Sequence, residues 1–209
     1  MKKLAAAILT AAAMLICGAP QASAALTVVA GFMVEGSDGW CTVSFADPYN
    51  PHIAYTAAHC YQPGTDPSIR IASAPLGRYN QNLYNPDLDI VAINLERGVP
   101  SSNTTMLGER IIGSAKVNIG DTVCKYGATT QETCGEVFGQ AGHYYKVNMT
   151  AKPGDSGSPI YRRSSIGNGV FIVGILQASD KKDPNAIYFT PIQLIESYLS
   201  TAYNTTWTA

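Results

Sequence analysis

The chain has 209 residues, of which 46% are hydrophobic and 14% are charged, and its formal net charge is −1. This balance excludes an intrinsically disordered chain, because disordered chains combine low hydrophobicity with high net charge. There is no basic surplus that would indicate a nucleic-acid partner, and no acidic tail that would bind cations.

The N-terminus has the pattern of a secretory signal peptide. Two lysines precede a small, apolar run at residues 4–17, and the sequence Ala-Ser-Ala follows at residues 22–24 as a cleavage signature. The run is shorter than the ~20 residues that span a bilayer as a helix, which favours a cleaved signal over a membrane anchor. A lipid-modified Cys17 is the other alternative. We therefore predict that residues 1–24 are removed and that the protein is secreted, with no stable membrane insertion.

Removal of the signal leaves an even number of cysteines, which predicts two disulfides in an exported chain. Four cysteines allow three pairings, and sequence proximity favours Cys41–Cys60 and Cys124–Cys134. A four-cysteine zinc site is disfavoured because the sequence lacks a C-x-x-C pair. No metal is predicted.

The mature chain alternates short apolar runs with turn-forming residues. Short β-prone runs with frequent turn signals predict an antiparallel all-β sandwich or barrel, and no long helices alternate with them as in a parallel α/β fold. The polar, turn-rich segment at residues 96–109 is the best candidate for a linker between two halves. The runs lie at residues 40–45, 53–57, 90–95, 116–119, 144–149, 169–176 and 186–189.

A single amphipathic helix is predicted at the C-terminus. Thr190 stands at the capping position, Pro191 at the first helical position and Gln193 at the capping-box position. We expect this helix to pack against the body of the protein. Its apolar residues recur at helical spacing, at Ile192, Ile195 and Leu199.

Three short segments carry residues suited to nucleophilic catalysis. They are TAAHC at residues 56–60, DIVAI at residues 89–93 and PGDSG at residues 153–157. Taken alone, each of them is more often structural: a lone histidine, a strand-end acid or a turn. Together they supply a complete set of roles, in the order histidine, aspartate, serine.

Each role has a chemical reason. A serine hydroxyl is a poor nucleophile at neutral pH, so Ser156 needs a base. His59 can take that proton and return it to the leaving group. A buried Asp89 would hold the imidazole in the productive tautomer. The backbone amides of Gly154 and Ser156 can face the developing oxyanion.

These segments, in this order, resemble the chymotrypsin family of serine proteases. The compact start VVAG at residues 28–31, the sequence CKYGATT…CG at residues 124–135 and the PGDSG turn resemble its small bacterial branch, the streptogrisin and α-lytic protease type. The resemblance implies two six-stranded antiparallel β-barrels with a C-terminal helix and the triad in the cleft between them. It places His59 and Asp89 in an N-terminal barrel at residues 25–105, and Ser156 in a C-terminal barrel at residues 106–209. It also implies a monomer that cleaves a protein or peptide substrate without a cofactor.

Four positions depart from the family pattern. Ser158 replaces the second glycine after the nucleophile. Gln177 and Ser179 replace serine and glycine in a segment that resembles the wall of the specificity pocket. Thr150 stands where trypsin-like relatives have aspartate, so a preference for lysine or arginine is not supported. A small or medium apolar residue before the scissile bond is the expectation, because binding one needs only a pocket of matching size.

Two routes to an active conformation remain open at the sequence level. Trimming to Val28 would free an amine that pairs with Asp155, as in the animal enzymes. Alternatively, Asp155 pairs with an internal arginine, as is typical of the bacterial branch, and we favour this second route. Relatives of this branch usually carry a large folding pro-region, for which the sequence between residues 25 and 27 leaves no room.

The leading hypothesis is a secreted serine endopeptidase. The main alternative is a catalytically weak or inactive protease-fold binding or regulatory protein, since a fold does not fix a function. A third alternative is a serine esterase, but the nucleophile elbow G-x-S-x-G does not fit here because Ser158 stands where its second glycine belongs.

Overall fold

The structure, a computed structural model, describes residues 26–37, 39–180 and 182–209. The predicted signal peptide, residues 1–24, lies outside the described residues. The strands, in chain order, are β1 (Val28–Ala30), β2 (Met33–Gly36), β3 (Gly39–Thr42), β4 (Phe45–Ala46), β5 (Ile53–Thr56), β6 (Ser68–Ile71), β7 (Ala74–Asn85), β8 (Ile90–Leu95), β9 (Ser101–Thr105), β10 (Arg110–Ser114), β11 (Thr122–Gly127), β12 (Gln131–Ala141), β13 (Tyr144–Asn148), β14 (Pro159–Arg163), β15 (Gly169–Ser179) and β16 (Ala186–Pro191).

The first sheet is a curled half-barrel of seven strands in the order β3-β2-β6-β7-β8-β5-β4. All neighbouring strands in it are antiparallel. Strand β8 lies near its middle and is buried at five of its six positions, because the sheet wraps around one face and the second sheet covers the other. Its core includes Val34, Ile69, Leu76 and Ile93, none of which has exposed surface.

The second sheet contains a closed six-stranded barrel. Strands β15, β14, β11, β12, β13 and β16 follow one another as antiparallel neighbours, and β16 pairs with β15 again to close the ring. The core of this barrel includes Val123, Val147, Ile160, Val173 and Phe189. The predicted all-β, trypsin-like architecture is confirmed, with the difference that the N-terminal barrel is open between β3 and β4.

Strands β1, β9 and β10 extend the second sheet beyond β15. Strand β9 lies inside the segment predicted as a linker, residues 96–109, and pairs in parallel with β1 and antiparallel with β10. The segment is therefore held by backbone hydrogen bonds rather than being a free loop. Its threonines are β-branched and suit a strand, which the turn signals around them obscured.

The C-terminal helix α1 (Ile192–Tyr203) is present as predicted. It buries the three apolar residues that recur at helical spacing, Ile192, Ile195 and Leu199. Among the described residues, no helix has the length and hydropathy needed to cross a bilayer.

The predicted cap of this helix is wrong. Pro191 is the N-cap and makes no side-chain capping bond, while Thr190 belongs to strand β16. The Thr190 hydroxyl donates instead to the carbonyl oxygen of Leu88, 2.8 Å away. The Thr190 hydroxyl therefore bonds a residue that is distant in the chain instead of capping the helix. Gln193 makes no capping-box bond either, and its side-chain amide donates to the carbonyl of Ala115 at 3.1 Å.

Candidate active site

His59 lies in a short 3-10 helix (Ala58–Cys60) that directly follows strand β5. The small side chains of Ala57 and Ala58 are buried, so this turn sits tightly on the first sheet. The disulfide Cys41–Cys60 joins the helix to strand β3, with the two Cα atoms 6.2 Å apart. His59 is thus carried on a segment fixed at both ends.

Asp89 meets His59 from the turn that precedes strand β8. Its carboxylate accepts the His59 backbone amide at 2.9 Å, and the His59 Nδ1 lies 2.8 Å from Oδ2 and 3.1 Å from Oδ1. Because an ionised carboxylate can only accept, Nδ1 carries the proton and Nε2 is left as the acceptor. Asp89 is 5% exposed and has a φ of 52°, a left-handed conformation that is uncommon outside glycine.

The pair changes the acid–base behaviour of the imidazole. The hydrogen bond to Asp89 raises the pKa of His59 above its ordinary value of about 6.5, and burial of the ring opposes only part of this rise. The side chain of His59 remains 47% exposed. The His59 imidazole, whose protonated form Asp89 stabilises, is therefore accessible to a ligand in the cleft.

The turn that carries Asp89 is held by the second barrel. Thr190 Oγ1 donates to the carbonyl of Leu88 at 2.8 Å, and the Tyr144 hydroxyl donates to the carbonyl of Asp87 at 2.7 Å. The His143 ring nitrogen Nε2 lies 3.1 Å from the same Asp87 oxygen. Sequence reasoning missed these contacts because the partners are more than 50 residues apart in the chain.

Ser156 lies in the turn between β13 and β14, and two glycines shape this turn. Gly154 has a φ of 99° and Gly157 a φ of 84°, which only glycine adopts without strain. A Cβ on Gly157 would collide with the Thr56 hydroxyl and the Thr42 carbonyl. The nucleophile turn therefore packs directly against the first sheet.

Thr42 links the nucleophile turn to the half-barrel that carries His59. Its backbone amide donates to the carbonyl of Ser156 at 2.8 Å, and its hydroxyl donates to the carbonyl of Gly154 at 2.7 Å. The same hydroxyl accepts the amide of Ala128 at 3.0 Å. Nothing in the local sequence around Thr42 signals this role.

The amides of Gly154 and Ser156 donate no hydrogen bond within the described part of the chain. The carbonyls of both residues are engaged by Thr42, which fixes the orientation of the turn. Oriented amide groups without a partner are suited to bind a negatively charged oxygen.

Asp155, between these two amides, is fully buried at the centre of a set of donors. Lys125 forms an ion pair with it at 3.5 Å, with both side chains at 0% exposure. It also accepts the Thr130 hydroxyl at 2.6 Å and the amides of Thr129, Thr130 and Lys152 at 2.9, 3.0 and 2.9 Å. Burial alone would raise the pKa of Asp155, but these hydrogen bonds and the Lys125 charge hold it below its usual range.

The expectation that Asp155 pairs with an internal arginine is wrong. The partner is a lysine, Lys125, and not an arginine. In the described chain, where residues 26 and 27 precede it, the Val28 backbone nitrogen donates to the carbonyl of Pro100 at 2.9 Å as part of strand β1. Pairing of Asp155 with an amine freed by trimming to Val28 therefore stays a prediction. The buried carboxylate already has its full set of donors in a chain that continues upstream of Val28.

The hairpin of β11 and β12 supplies most of these donors, and the disulfide Cys124–Cys134 closes it. The two cysteines face each other across the strands with their Cα atoms 4.0 Å apart. Glu132 lies close to both sulfurs, but sulfurs joined in a disulfide do not bind a metal as thiolates. Both disulfides have the pairing that sequence proximity favoured.

A cavity of about 440 Å³ opens where these elements meet. Its walls are residues 151–153 and 176–179, and both His59 and Ser156 line it. Thr150, considered as a pocket residue on the family pattern, lies outside this cavity in a separate depression beside Cys134 and Asn148.

The departures from the family pattern have structural explanations in two cases. Ser158 is fully buried, and both its amide and its hydroxyl donate to the carbonyl of Asp155, so its side chain reinforces the nucleophile turn. The Ser179 hydroxyl donates to the carbonyl of Ala151 at 3.3 Å and joins the two walls of the cavity. Gln177 lines the cavity and makes no hydrogen bond to Asp89.

Comparisons with known proteins agree with this architecture. No protein-family model matches the chain. An uncharacterized protein of Mycobacterium tuberculosis, found in two strains, is 28% identical over 165 residues, which cover 72% of this chain and 73% of the relative.

Solved structures match nearly the whole described chain. Protease A of Thermobifida fusca is 21% identical, covers 83% of this chain and 96% of its own, and has a TM-score of 0.65. A glutamic-acid-specific serine protease is 19% identical, covers 86% and 100%, and has a TM-score of 0.70. The Nocardiopsis protease is 20% identical, covers 83% and 97%, and has a TM-score of 0.64. At these identities the likeness establishes the fold.

Proposed function

We propose that this protein, which has the fold of the bacterial chymotrypsin-like serine proteases, is a serine endopeptidase that forms an acyl-enzyme on Ser156. One observation carries the proposal: a histidine whose Nδ1 is held by a buried aspartate lines the same cavity as a serine in a glycine-flanked turn. In this proposal His59 is the general base and acid, and Asp89 orients it.

The first half of the reaction acylates the enzyme. His59 Nε2 takes the proton of the Ser156 hydroxyl as Oγ attacks the carbonyl carbon of the substrate, and the carbonyl electron pair moves to its oxygen. The amides of Gly154 and Ser156 bind that oxyanion, and each such donor typically contributes about 3 kcal/mol to the transition state. The carbon–nitrogen bond then breaks, and His59 passes its proton to the leaving amine.

Water completes the cycle by the same route. His59 removes a proton from a water molecule, whose oxygen attacks the acyl carbon. The ester bond to Ser156 breaks, and His59 returns the proton to Oγ. Asp89 stabilises the charged imidazole in both halves without itself taking the proton.

The cavity beside Ser156 is the proposed binding place for the side chain that precedes the scissile bond. Ser156 lines it, together with the short segments at residues 151–153 and 176–179. Ala178 and Ser179 are exposed at the end of strand β15, so their backbone is accessible to an extended substrate.

We further propose that the protein acts outside the cytoplasm, as a monomer. Two disulfides favour an oxidising compartment, because cytoplasmic thiols are kept reduced. The predicted signal peptide supports the same assignment.

The test is cleavage of a peptide library by the protein and by Ser156→Ala made in the same host. New N-termini released only by the parent protein would support endopeptidase activity. Equal cleavage by both would indicate a contaminating protease and contradict the proposal. A folded parent that cleaves no peptide and hydrolyses no activated ester would indicate the alternative, a protease-fold binding protein.

A further inference from the structure

One lysine, Lys152, lines the cavity beside Ser156, and no acidic residue lines it. We propose that Lys152 selects substrates with glutamate or aspartate immediately before the scissile bond. This inference rests on the proposed endopeptidase function and assigns its substrate class. It replaces the sequence-level expectation of an apolar side chain, which considered the size of the pocket and not its charge.

The backbone of Lys152 is fixed relative to the nucleophile. Its amide donates to Asp155 Oδ2 at 2.9 Å, and its carbonyl accepts the Asp155 amide at 3.0 Å. Asp155 directly precedes Ser156 in the same turn. The Cα of Lys152 is therefore held in a fixed position relative to Ser156, as a residue that determines specificity requires.

The charge of Lys152 is available to a ligand. Lys125 and Lys146 each form an ion pair with an aspartate, whereas Lys152 forms none with any residue that the structure describes. Lys152 is exposed to solvent at the cavity. An ammonium group without a counter-ion at the wall of an open cavity is complementary to a carboxylate.

Another polar group of the cavity favours the same ligand. Gln177 lines the cavity, and its side-chain amide can donate to a carboxylate oxygen, whereas the Ser179 hydroxyl already donates to the carbonyl of Ala151. Asp180, which follows Ser179 in the chain, lies in the neighbouring depression and is already bound by the Tyr188 hydroxyl at 2.6 Å and by Lys146 at 3.3 Å. It therefore does not neutralise Lys152, and a lysine or arginine of the substrate would meet a like charge.

The experiment measures kcat/KM for pairs of peptides that differ only in one side chain, which ends in a carboxylate in one peptide and in a carboxamide in the other. The two peptides of the first pair have glutamate or glutamine immediately before the scissile bond. The two peptides of the second pair both have glutamine there, and they differ by glutamate or glutamine at a position two residues upstream. Each glutamate-to-glutamine ratio is taken within one preparation, so differences in the active fraction cancel. We expect a ratio on the order of tenfold for the first pair, as for a hydrogen bond to a charged group, and a ratio near one when the glutamate is moved upstream.

Substitutions assign the effect to Lys152. Lys152→Gln should bring the ratio close to one, Lys152→Glu should invert it, and Lys152→Arg should retain it. Lys182→Gln is the matched control, because Lys182 lines the adjacent depression but not this cavity. It should leave the ratio unchanged. A parent ratio near one, a ratio that follows glutamate at either position, or equal loss in Lys182→Gln would each overturn the inference.

Failure of the inference is distinguishable from failure of the proposed function. A fluorophosphonate probe reports an activated Ser156 without requiring any particular substrate side chain. Labelling of the parent together with a ratio near one overturns only the role of Lys152. Absence of labelling in folded protein overturns the proposed function and the inference with it.

Discussion

The hydroxyl of Thr190 donates to the carbonyl oxygen of Leu88 over 2.8 Å, and this bond joins the closed barrel to the turn that carries Asp89. Leu88 directly precedes Asp89, whose backbone is in a left-handed conformation. A strained turn of this kind persists only when its surroundings hold it. We therefore expect Thr190 to position Asp89, and through it the His59 ring.

Substitution of Thr190 tests this positioning role. Thr190→Val keeps the shape of the fully buried side chain but leaves the Leu88 carbonyl without its donor, which should cost about 1–3 kcal/mol of unfolding free energy. The kcat/KM should fall, and its pH dependence should shift as His59 loses its fixed partner. Thr190→Ser retains the hydroxyl and should restore both. Loss of stability in Thr190→Val with an unchanged pH profile would assign Thr190 a purely structural role.

The buried pair of Lys125 and Asp155 gives a second prediction. Lys125→Met leaves the Asp155 carboxylate buried without its counter-ion, and breaking such a pair typically costs about 3–5 kcal/mol. Urea unfolding should show this loss, and activity should fall because Asp155 lies between the two proposed oxyanion amides. Lys146→Met removes a partly exposed pair with Asp180 and should change stability far less. Similar effects of the two substitutions would contradict a structural role for the buried pair.

Activity should depend on pH through His59. The imidazole must be neutral to accept the Ser156 proton, so kcat/KM should rise with pH and level off above the pKa of His59. Because Asp89 raises this pKa, the midpoint should lie above about 6.5. Asp89→Asn removes the negative partner, so the midpoint should move down and kcat should fall on the order of 10⁴-fold. A midpoint that is the same in both proteins would exclude His59–Asp89 as the titrating unit.

Gly157 should be intolerant of a side chain for two separable reasons. Gly157→Ala combines a positive φ with a collision against Thr56 and the Thr42 carbonyl, so folding or activity should be lost. Gly98→Ala is the matched control, since its φ of 93° is similar but a Cβ there meets nothing within 4 Å. That variant should show only the backbone strain, about 1–2 kcal/mol in the unfolding free energy. Equal thermal stability of the two variants would contradict close packing of the nucleophile turn.

The sequence predicted what is encoded locally. The segments around His59, Asp89 and Ser156 are short and contiguous. The structure pairs Asp89 with His59 and places His59 and Ser156 on the walls of one cavity. The disulfide partners are close in the chain, so proximity was a sufficient guide. The helix at the C-terminus was recognisable from three apolar residues at helical spacing.

Contacts between distant segments were not predictable in this way. Thr42 lies 112 residues from Gly154, and Thr190 lies 102 residues from Leu88. Each of these threonines has an unremarkable local sequence, and Thr190 even fits a helix-cap pattern that the structure does not use. The prediction of an arginine partner for Asp155 was wrong for the same reason. Lys125 comes close to Asp155 only when the β11–β12 hairpin is folded beside the nucleophile turn.

The central claim is that Ser156 is an activated nucleophile, and a fluorophosphonate probe tests it most directly. Mass spectrometry of the labelled protein should locate one adduct on the peptide that contains Ser156. Ser156→Ala, His59→Ala and protein unfolded before exposure to the probe should not be labelled. An adduct at another serine, equal labelling of the unfolded protein, or no labelling of a protein with a cooperative unfolding transition would contradict the account.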